Sequence, residues 1–415
     1  MRRHTVYLRY CEAFEGLLTI VRLCRTIARL KELCYFEKIL NVVFDEKGGK
    51  IVDNEMLIIG IDYGKENTQI AYYDKETADG LCIEENISTE SAETTIKHCM
   101  EIMQSKFPDK NKSETCIVIT KKTYVKEEAE ELAAYFANDG YKKELIQVIT
   151  YKQAYMYYVM NGPKECCQND VGLFDYDMEG LKYYQLVIDR RREPYVVGVV
   201  EKDYSDALKY DQEAFKNDEE LPYIFENVAQ NATHKQILSS LYMTGKGFES
   251  DWADETMKKM CRGRRVFKGG NLYVKGACFA AAKNSRVGKM PEVVFIDDNM
   301  IQAYISTKVY YNASDSELII AKAGTPWDEV DNSIRIIPDM EDELQINVTN
   351  VVTREKSTHI IPVDFVGKKR LAKMTRLRVR VRFQGVHKCI ITISDEGFGK
   401  LCPSSRKIYE KIINI

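Results

Sequence analysis

Residues Gly60 to Asp74 read GIDYGKENTQIAYYD. An apolar run from Leu57 to Ile61, a polar turn from Asp62 to Asn67 and a second apolar run from Thr68 to Tyr73 predict two antiparallel strands joined by a tight turn. Gly80 to Glu84 supplies a third strand. Ala92 to Phe107 follows with apolar residues near a 3.6 spacing (Ile96, Met100, Met103, Phe107), which predicts a helix. Cys116 to Thr120 reads as a buried strand. Lys126 to Asn138 reads as a helix with acids in its first turn and Gly140 past its end. Leu145 to Thr150 is then a strand, and Tyr151 to about Met160 another helix.

The same order begins again downstream. Strands are expected at Val171 to Asp175, Tyr183 to Ile188 and Tyr195 to Val200, then a polar helical region from about Asp203 to Gln230 and a strand at Leu241 to Thr244. Helices follow at Asp251 to Cys261 and Asn271 to Lys283, the second carrying Gly276, Ala277, Ala280 and Ala281 for close packing. Two α/β lobes around a common cleft are implied. Beyond Pro291 the texture changes to short β-branched runs separated by turn residues, with no helical period until the last few residues. That pattern predicts an antiparallel β-sandwich over 292–415, with a boundary between Ala282 and Glu292.

An Asp and a Gly in a tight turn can hold a phosphate chain, because the turn's N–H groups face the ligand and the carboxylate orients a hydrated Mg²⁺. Asp62-Tyr63-Gly64 has that arrangement, although alone it reads more simply as a hairpin needing Gly. It belongs to a larger set: GIDYGKENTQIAYYD, GLFDYDMEGLKYYQLVI (Gly172 to Ile188), LYMTGKGFESDW (Leu241 to Trp252) and VKGACFAAAK (Val274 to Lys283). In this order the set resembles the nucleotide-binding domain of the actin, sugar-kinase and DnaK-type heat-shock chaperone superfamily, most like a bacterial chaperone-like branch with a C-terminal β-domain.

The resemblance implies a duplicated ribonuclease-H-like fold over 56–285, binding ATP or ADP with Mg²⁺. It makes the first two segments the phosphate hairpins, the third the adenosine loop and the fourth a hinge helix. Asp62 and Asp175 would orient Mg²⁺ through water, Gly64, Lys65, Asn67 and Gly180 would meet phosphates, Gly245, Gly247 and Phe248 would flank adenosine, and Gly276 would approach the nucleotide from the hinge helix. A protein or polypeptide partner would bind the β-domain under nucleotide control. The alternative is a pseudo-ATPase scaffold with no nucleotide function.

Several positions depart from the superfamily pattern. Lys65 stands where active chaperone-type members carry a hydroxyl. Asp177 and Glu179 replace a Gly cluster in the second hairpin; at ~5 Å and an effective dielectric of ~20, each carboxylate facing a phosphate would cost on the order of 3 kcal/mol unless offset. Tyr151 stands where the chaperones carry a water-positioning Glu, and a phenol is a poor base near neutral pH. Only Asn86 to Ser91 separates the third strand from the first helix, so the large wing insertions are absent. These departures predict at most a slow ATPase.

The 415 residues carry 60 Lys plus Arg against 63 Asp plus Glu. A net charge of -3 gives no bulk signal for nucleic acid or an anionic membrane. Twelve Cys are scattered without a metal-binding spacing and the five His are isolated, which argues against a zinc or disulfide framework and for a cytoplasmic protein. The longest apolar stretch near the start, Leu17 to Leu23, is interrupted by Arg22 and is too short to span a membrane. Arg376, Arg378, Arg380 and Arg382 alternate with Leu377, Val379, Val381 and Phe383, placing four guanidiniums on one strand face. A solvated face is the plain reading and an anionic partner the sharper one, with nucleic acid only an outside possibility. Residues 1–40 hold eight Lys/Arg and four acids, leaving 52 basic and 59 acidic residues in the remaining 375. Residues 1–55 have no counterpart in the resemblance. They are read either as an over-extended frame upstream of a natural start at Met56 or as an amphipathic docking helix over about Phe14 to Val43.

Overall fold

The computed structural model describes residues 56–64, 66–88, 90–211, 220–288, 290–338, 343–362 and 375–415. Lys65 and the whole of 1–55 lie outside the described residues, so the readings of both do too. Met56–Ile415 forms one unit.

Its first sheet is built from β1 (Leu57–Tyr63), β2 (Asn67–Asp74), β3 (Asp79–Ser88), β4 (Thr115–Lys121) and β5 (Ile146–Thr150), in the order β3-β2-β1-β4-β5. The first three strands are antiparallel, while β4 and β5 run parallel to β1. Alternation along β1 sends Ile59 and Ile61 under α1 (Ala92–Lys106) and α2 (Lys126–Asn138), whose Ile96, Cys99, Met103, Leu132 and Phe136 complete that core. Ile58, Gly60 and Asp62 therefore point to the other face.

The second sheet repeats the order. β6 (Asp170–Asp177), β7 (Gly180–Asp189), β8 (Tyr195–Asp203), β9 (Leu238–Thr244) and β10 (Arg265–Lys268) lie as β10-β9-β6-β7-β8, with β9 parallel to β6 and β10 parallel to β9. α4 (Leu221–Ala232) and the short α5 (Asp254–Met260) cover one face, packed on Phe174, Tyr176 and Met243. Of the polar stretch expected to be helical, 212–219 lie outside the described residues; α4 has Pro222 in its first turn, where a missing N–H costs nothing.

Two helices cross between the halves. α3 (Tyr151–Asn161) follows β5, yet its Tyr155 hydroxyl donates to Val171 O of β6 at 2.9 Å. α6 (Leu272–Asn284) follows β10, yet it packs on β1, where a Cβ at Gly60 would sit 2.5 Å from Cys278 N. α3 and α6 touch where Gly276 meets Ala154; a Cβ there would lie 2.1 Å from the Ala154 carbonyl oxygen. The small-residue pattern of α6 is explained by this crossing. Nothing but residues 89–91 separates β3 from α1, so the first half has no inserted subdomain there.

The expected boundary near Glu292 is not a free linker. β11 (Val293–Phe295) adds to β8 in parallel, and Val352 fills the space a Cβ at Gly198 would need. Val196, Ile296, Tyr304, Ala323, Val351 and Val352 form a shared apolar cluster across this junction. Beyond it stand two four-stranded antiparallel sheets. One is β13 (Ser314–Ala321), β12 (Ala303–Tyr311), β15 (Glu343–Asn350) and β16 (Lys356–Pro362); the other is β14 (Asp331–Ile336), β17 (Leu377–Phe383), β18 (Lys388–Asp395) and β19 (Ile408–Asn414). Ile305, Ile346 and Val348 from the first meet Val379, Val381, Ile391 and Ile393 from the second in one core. The final residues, where a helical period seemed to resume, form the edge strand β19 instead.

Candidate functional site

The cleft between the α/β halves encloses about 840 Å³. Its floor is set by two carboxylates at the ends of equivalent strands. Asp62 lies near the end of β1, and the strand pairing puts Gln69 of β2 and Thr120 of β4 beside it. Asp175 lies near the end of β6, with Lys182 of β7 and Thr244 of β9 beside it. Each half thus presents an Asp flanked by a hydroxyl on one side and a longer polar side chain on the other.

Each carboxylate also receives a phenol from one of the crossing helices. Thr150 caps α3 with a complete capping box through Gln153, which fixes Tyr151 at the helix start. The Tyr151 hydroxyl bonds to Asp62, and the Tyr273 hydroxyl donates to Asp175 Oδ2 at 2.6 Å. The two rings stack at 3.9 Å. Burial and the nearby carboxylates push both phenols well above their usual range, so they act as donors and not as bases.

Asp62 and Asp175 are 8% and 5% exposed. Burial pushes both up to about 7, the Tyr151 and Tyr273 bonds pull in the opposite sense, and mutual repulsion adds to the rise at Asp62. Among the described residues Asp62 Oδ1 has no hydrogen-bond partner, nor do Gln69 Oε1 and Thr120 Oγ1 in the same row. Three adjacent buried oxygens without a donor fit a hydrated cation, since a bound water shell would supply the missing hydrogens and the charge would offset both carboxylates. No group of three His, Cys, Asp or Glu among the described residues makes a direct metal cage.

The walls are charged but internally matched. Lys122, between β4 and α2, reaches across to Asp177 and Glu179 in the β6–β7 turn, 2.7 Å to each. Desolvation lowers the Lys122 ammonium, but these two bonds more than offset it and leave it above its usual value. The carboxylates expected to repel a phosphate chain are therefore offset in part from the opposite half by Lys122, with Lys182 of β7 3.8 Å from Glu179. Lys152 bonds to Glu201 at 2.8 Å, Lys246 pairs with Glu66, and Lys268 pairs with Asp254 at 3.2 Å. These pairs could not be read from sequence, because the partners lie up to 180 residues apart.

The remaining expected residues divide by location. Gly64, Asn67, Gly245 and Phe248 line the cleft together with Asp62 and Asp175. Gly245 holds φ 95°, and a Cβ on it would lie 2.9 Å from Asp175 Oδ1, so the loop after β9 approaches the carboxylate as only Gly permits. Phe248 is buried among Tyr176, Phe225 and Trp252, and stacks on Trp252 at 5.8 Å. Gly247 abuts the Tyr176 ring, Gly180 abuts Ser205, and Gly276 abuts Ala154; none of the three lines the cleft. Their short side is used for packing. Thr120, Gln69, Thr244 and Tyr273 were missed in sequence. The cross-strand pairing of the two Asp positions is the signal that locates the first three.

The family model described as "Family of unknown function (DUF5716) C-terminal" matches residues 82–298, and "Domain of unknown function (DUF8552)" matches 300–415. No curated protein matches. Among solved structures the chain is similar to an inorganic polyphosphate/ATP-glucomannokinase from Arthrobacter sp. strain KM, at 12% identity over 55% of this chain and 99% of that one, TM-score 0.40. It is also similar to the activator of 2-hydroxyisocaproyl-CoA dehydratase from Clostridium difficile with bound ADPNP, at 12% identity over 56% and 97%, TM-score 0.35. A ROK hexokinase from Thermus thermophilus aligns at 9% identity over 56% and 100%, TM-score 0.35. Scores of this size carry no argument about the ligand.

Proposed function

The chain belongs to the DUF5716 family, whose function is unknown, and we propose that its two α/β halves form a duplicated, ribonuclease-H-like unit binding ATP or ADP with hydrated Mg²⁺ in the cleft. The observation that carries this reading is the mirrored pair Asp62 and Asp175, both buried, with Asp62 Oδ1 left without a partner among the described residues. Bound Mg²⁺ would supply positive charge against phosphate oxygens. Asp62 and Asp175 would orient its water shell, Gly64 and Asn67 would meet the phosphate chain, and Gly245 and Phe248 would border the nucleoside. Tyr151 and Tyr273 fix the carboxylates through their hydroxyl bonds. Hydrolysis is slow or absent in this reading, because the group nearest Asp62 is a high-pKa phenol that cannot accept a proton from water near neutral pH.

Calorimetric titration of the full chain with Mg-ATP and Mg-ADP tests it. The expected result is saturable heat that Asp62→Asn reduces at least tenfold; no heat at millimolar nucleotide refutes it. A second reading, a scaffold that keeps the fold without a ligand, is favoured by the cross-cleft pairs of Lys122, Lys152 and Lys246, which leave these ammonium groups already satisfied. In either reading the β-rich region carries the partner site, and because β11 attaches it to the second half, the element free to shift on binding is the first half.

A further inference from the structure

The outer face of the β14-β17-β18-β19 sheet carries more positive charge than it can neutralise. The inward residues of β17 are buried in the core, so Arg378, Arg380 and Arg382 all stand outward, with Arg376 just before the strand. β14 adds Arg335 directly opposite Arg378, a like-charge pairing that costs stability unless something offsets it. A single carboxylate, Glu396, serves three of them: Arg335 at 2.9 Å, Arg376 at 3.4 Å and Arg378 at 3.9 Å. Arg380 pairs with Asp331, which the register also sets opposite Arg382, and among the described residues Arg382 Nε has no hydrogen-bond partner. Among the described residues five guanidiniums thus share two carboxylates, the next outward acid, Glu410 of β19, lying two strands from Arg380.

A mixed strip runs beside this row. Ile390 of β18 pairs with Ile412 of β19, and the outward residues of that edge strand are Ile408, Glu410 and Ile412, the two isoleucines 67% and 51% exposed on either side of one carboxylate. Two strand spacings separate strip from row, ~10 Å, which is the width of an α-helix. The row itself spans ~20 Å, the length of about 13 helical residues. Phosphate chains of single-stranded nucleic acid would need aromatic platforms for successive bases, whereas the row has one exposed ring beside it, Phe398, with the Arg376 guanidinium 6.0 Å over it, and the strip on the other side holds two isoleucines and Glu410.

We infer that this face docks an acidic amphipathic helix of a partner protein, its carboxylate flank on Arg335, Arg378 and Arg380 and its apolar flank on Ile408 and Ile412. The inference gives a chemistry to the partner proposed above for the β-rich region, and it holds whether or not the cleft binds nucleotide. The test is fluorescence anisotropy of the full chain with a labelled 18-residue helical peptide bearing Leu on one stripe and Glu elsewhere, against the same peptide with Lys for Glu and a 20-nucleotide oligo-uridine RNA. The Glu peptide is expected to bind and to weaken at least tenfold in Arg378→Glu/Arg380→Glu. Arg378→Gln, which avoids charge reversal, should weaken it severalfold at unchanged melting temperature, and Ile412→Ala should do the same. Equal binding of the Lys peptide, tighter binding of the RNA, or unchanged binding in the double variant would overturn the inference. Mg-ATP titration of the double variant is read alongside: intact nucleotide heat with lost peptide binding localises the effect to this face, and failure of nucleotide heat in the wild type leaves the peptide result standing.

Discussion

Arg354, in the turn after β15, donates to Asp170 at the base of β6, the strand that carries Asp175 near its other end. Asp170 is 1% exposed and also accepts from Gln185 at 2.8 Å. Burial raises its carboxyl above the usual range while Gln185 and Arg354 pull against that rise. The β-rich region is thereby tied to the strand that floors the cleft. Arg354→Ala leaves a buried carboxylate with only neutral donors, the Gln185 amide and the Ile188 N–H, and is expected to cost about 2 kcal/mol, with Asp170→Asn/Arg354→Ala costing less than the single change. Urea melts of the three proteins check the order.

The Tyr151–Tyr273 stack makes a second prediction. Tyr273→Phe keeps the ring contact and removes the donor to Asp175, which is expected to destabilise the protein by about 2 kcal/mol at pH 8, where the carboxylate is charged. At pH 5, where Asp175 holds its proton, the loss should shrink. Thermal melts of the variant at both pH values measure the difference.

Stability itself should depend on pH with an unusual sign. Asp62 and Asp175 titrate near 7 when folded, against ~4 in an unfolded chain, so between these values the folded state holds protons that the unfolded state has released. The contribution of these two groups is fully present below pH 4 and falls as pH rises through 7. Metal-free protein is expected to melt lower at pH 8 than at pH 5.5, and Asp62→Asn should recover about 2 kcal/mol at pH 8. Identical pH profiles for the variant and the wild type would contradict the assignment.

At the cleft mouth, Lys122→Met leaves Asp177 and Glu179 without their bridging cation. The pairs are partly exposed, so the stability loss should be only about 1 kcal/mol. The sharper readout is local: amide exchange in the β6–β7 turn is expected to accelerate severalfold, and raising salt should mimic the change in the wild type but not in the variant.

Gly276→Ala tests the crossing of α3 and α6. Its methyl would lie 2.1 Å from the Ala154 carbonyl oxygen, backbone that cannot swing aside, so the helices must separate. A loss of about 3 kcal/mol is expected, despite the better helix propensity of Ala. Chemical denaturation at constant m value would show it.

The order of elements was legible in the chain because buried strands such as β1, β4 and β6 are continuous apolar runs and α1 and α2 carry clear helical periods. β10 was not, being four mostly exposed residues at a sheet edge. β19 was misread although IYEKIIN alternates, since Glu410 and Lys411 blur the period over so short a stretch. In the cleft, Asp62 and Asp175 stood out as turn carboxylates. The function of Gly276 was ambiguous in sequence between ligand approach and helix contact, and only the position of Ala154 decides it. Ion pairs such as Lys122 with Asp177 depend wholly on how the halves meet.

The β11–β8 pairing also governs how the chain can be divided. Cutting between α6 and β11 would strip three residues from the rim of a sheet and leave the Tyr195–Val197 edge with open hydrogen-bonding groups beside Val196 and Ile296. Neither fragment would then be a clean module: one gains an adhesive rim and the other a loose, sticky tail. Exchange of that short strand between two molecules would satisfy both, so truncations placed at this junction should yield swapped dimers or precipitate in place of two independent parts.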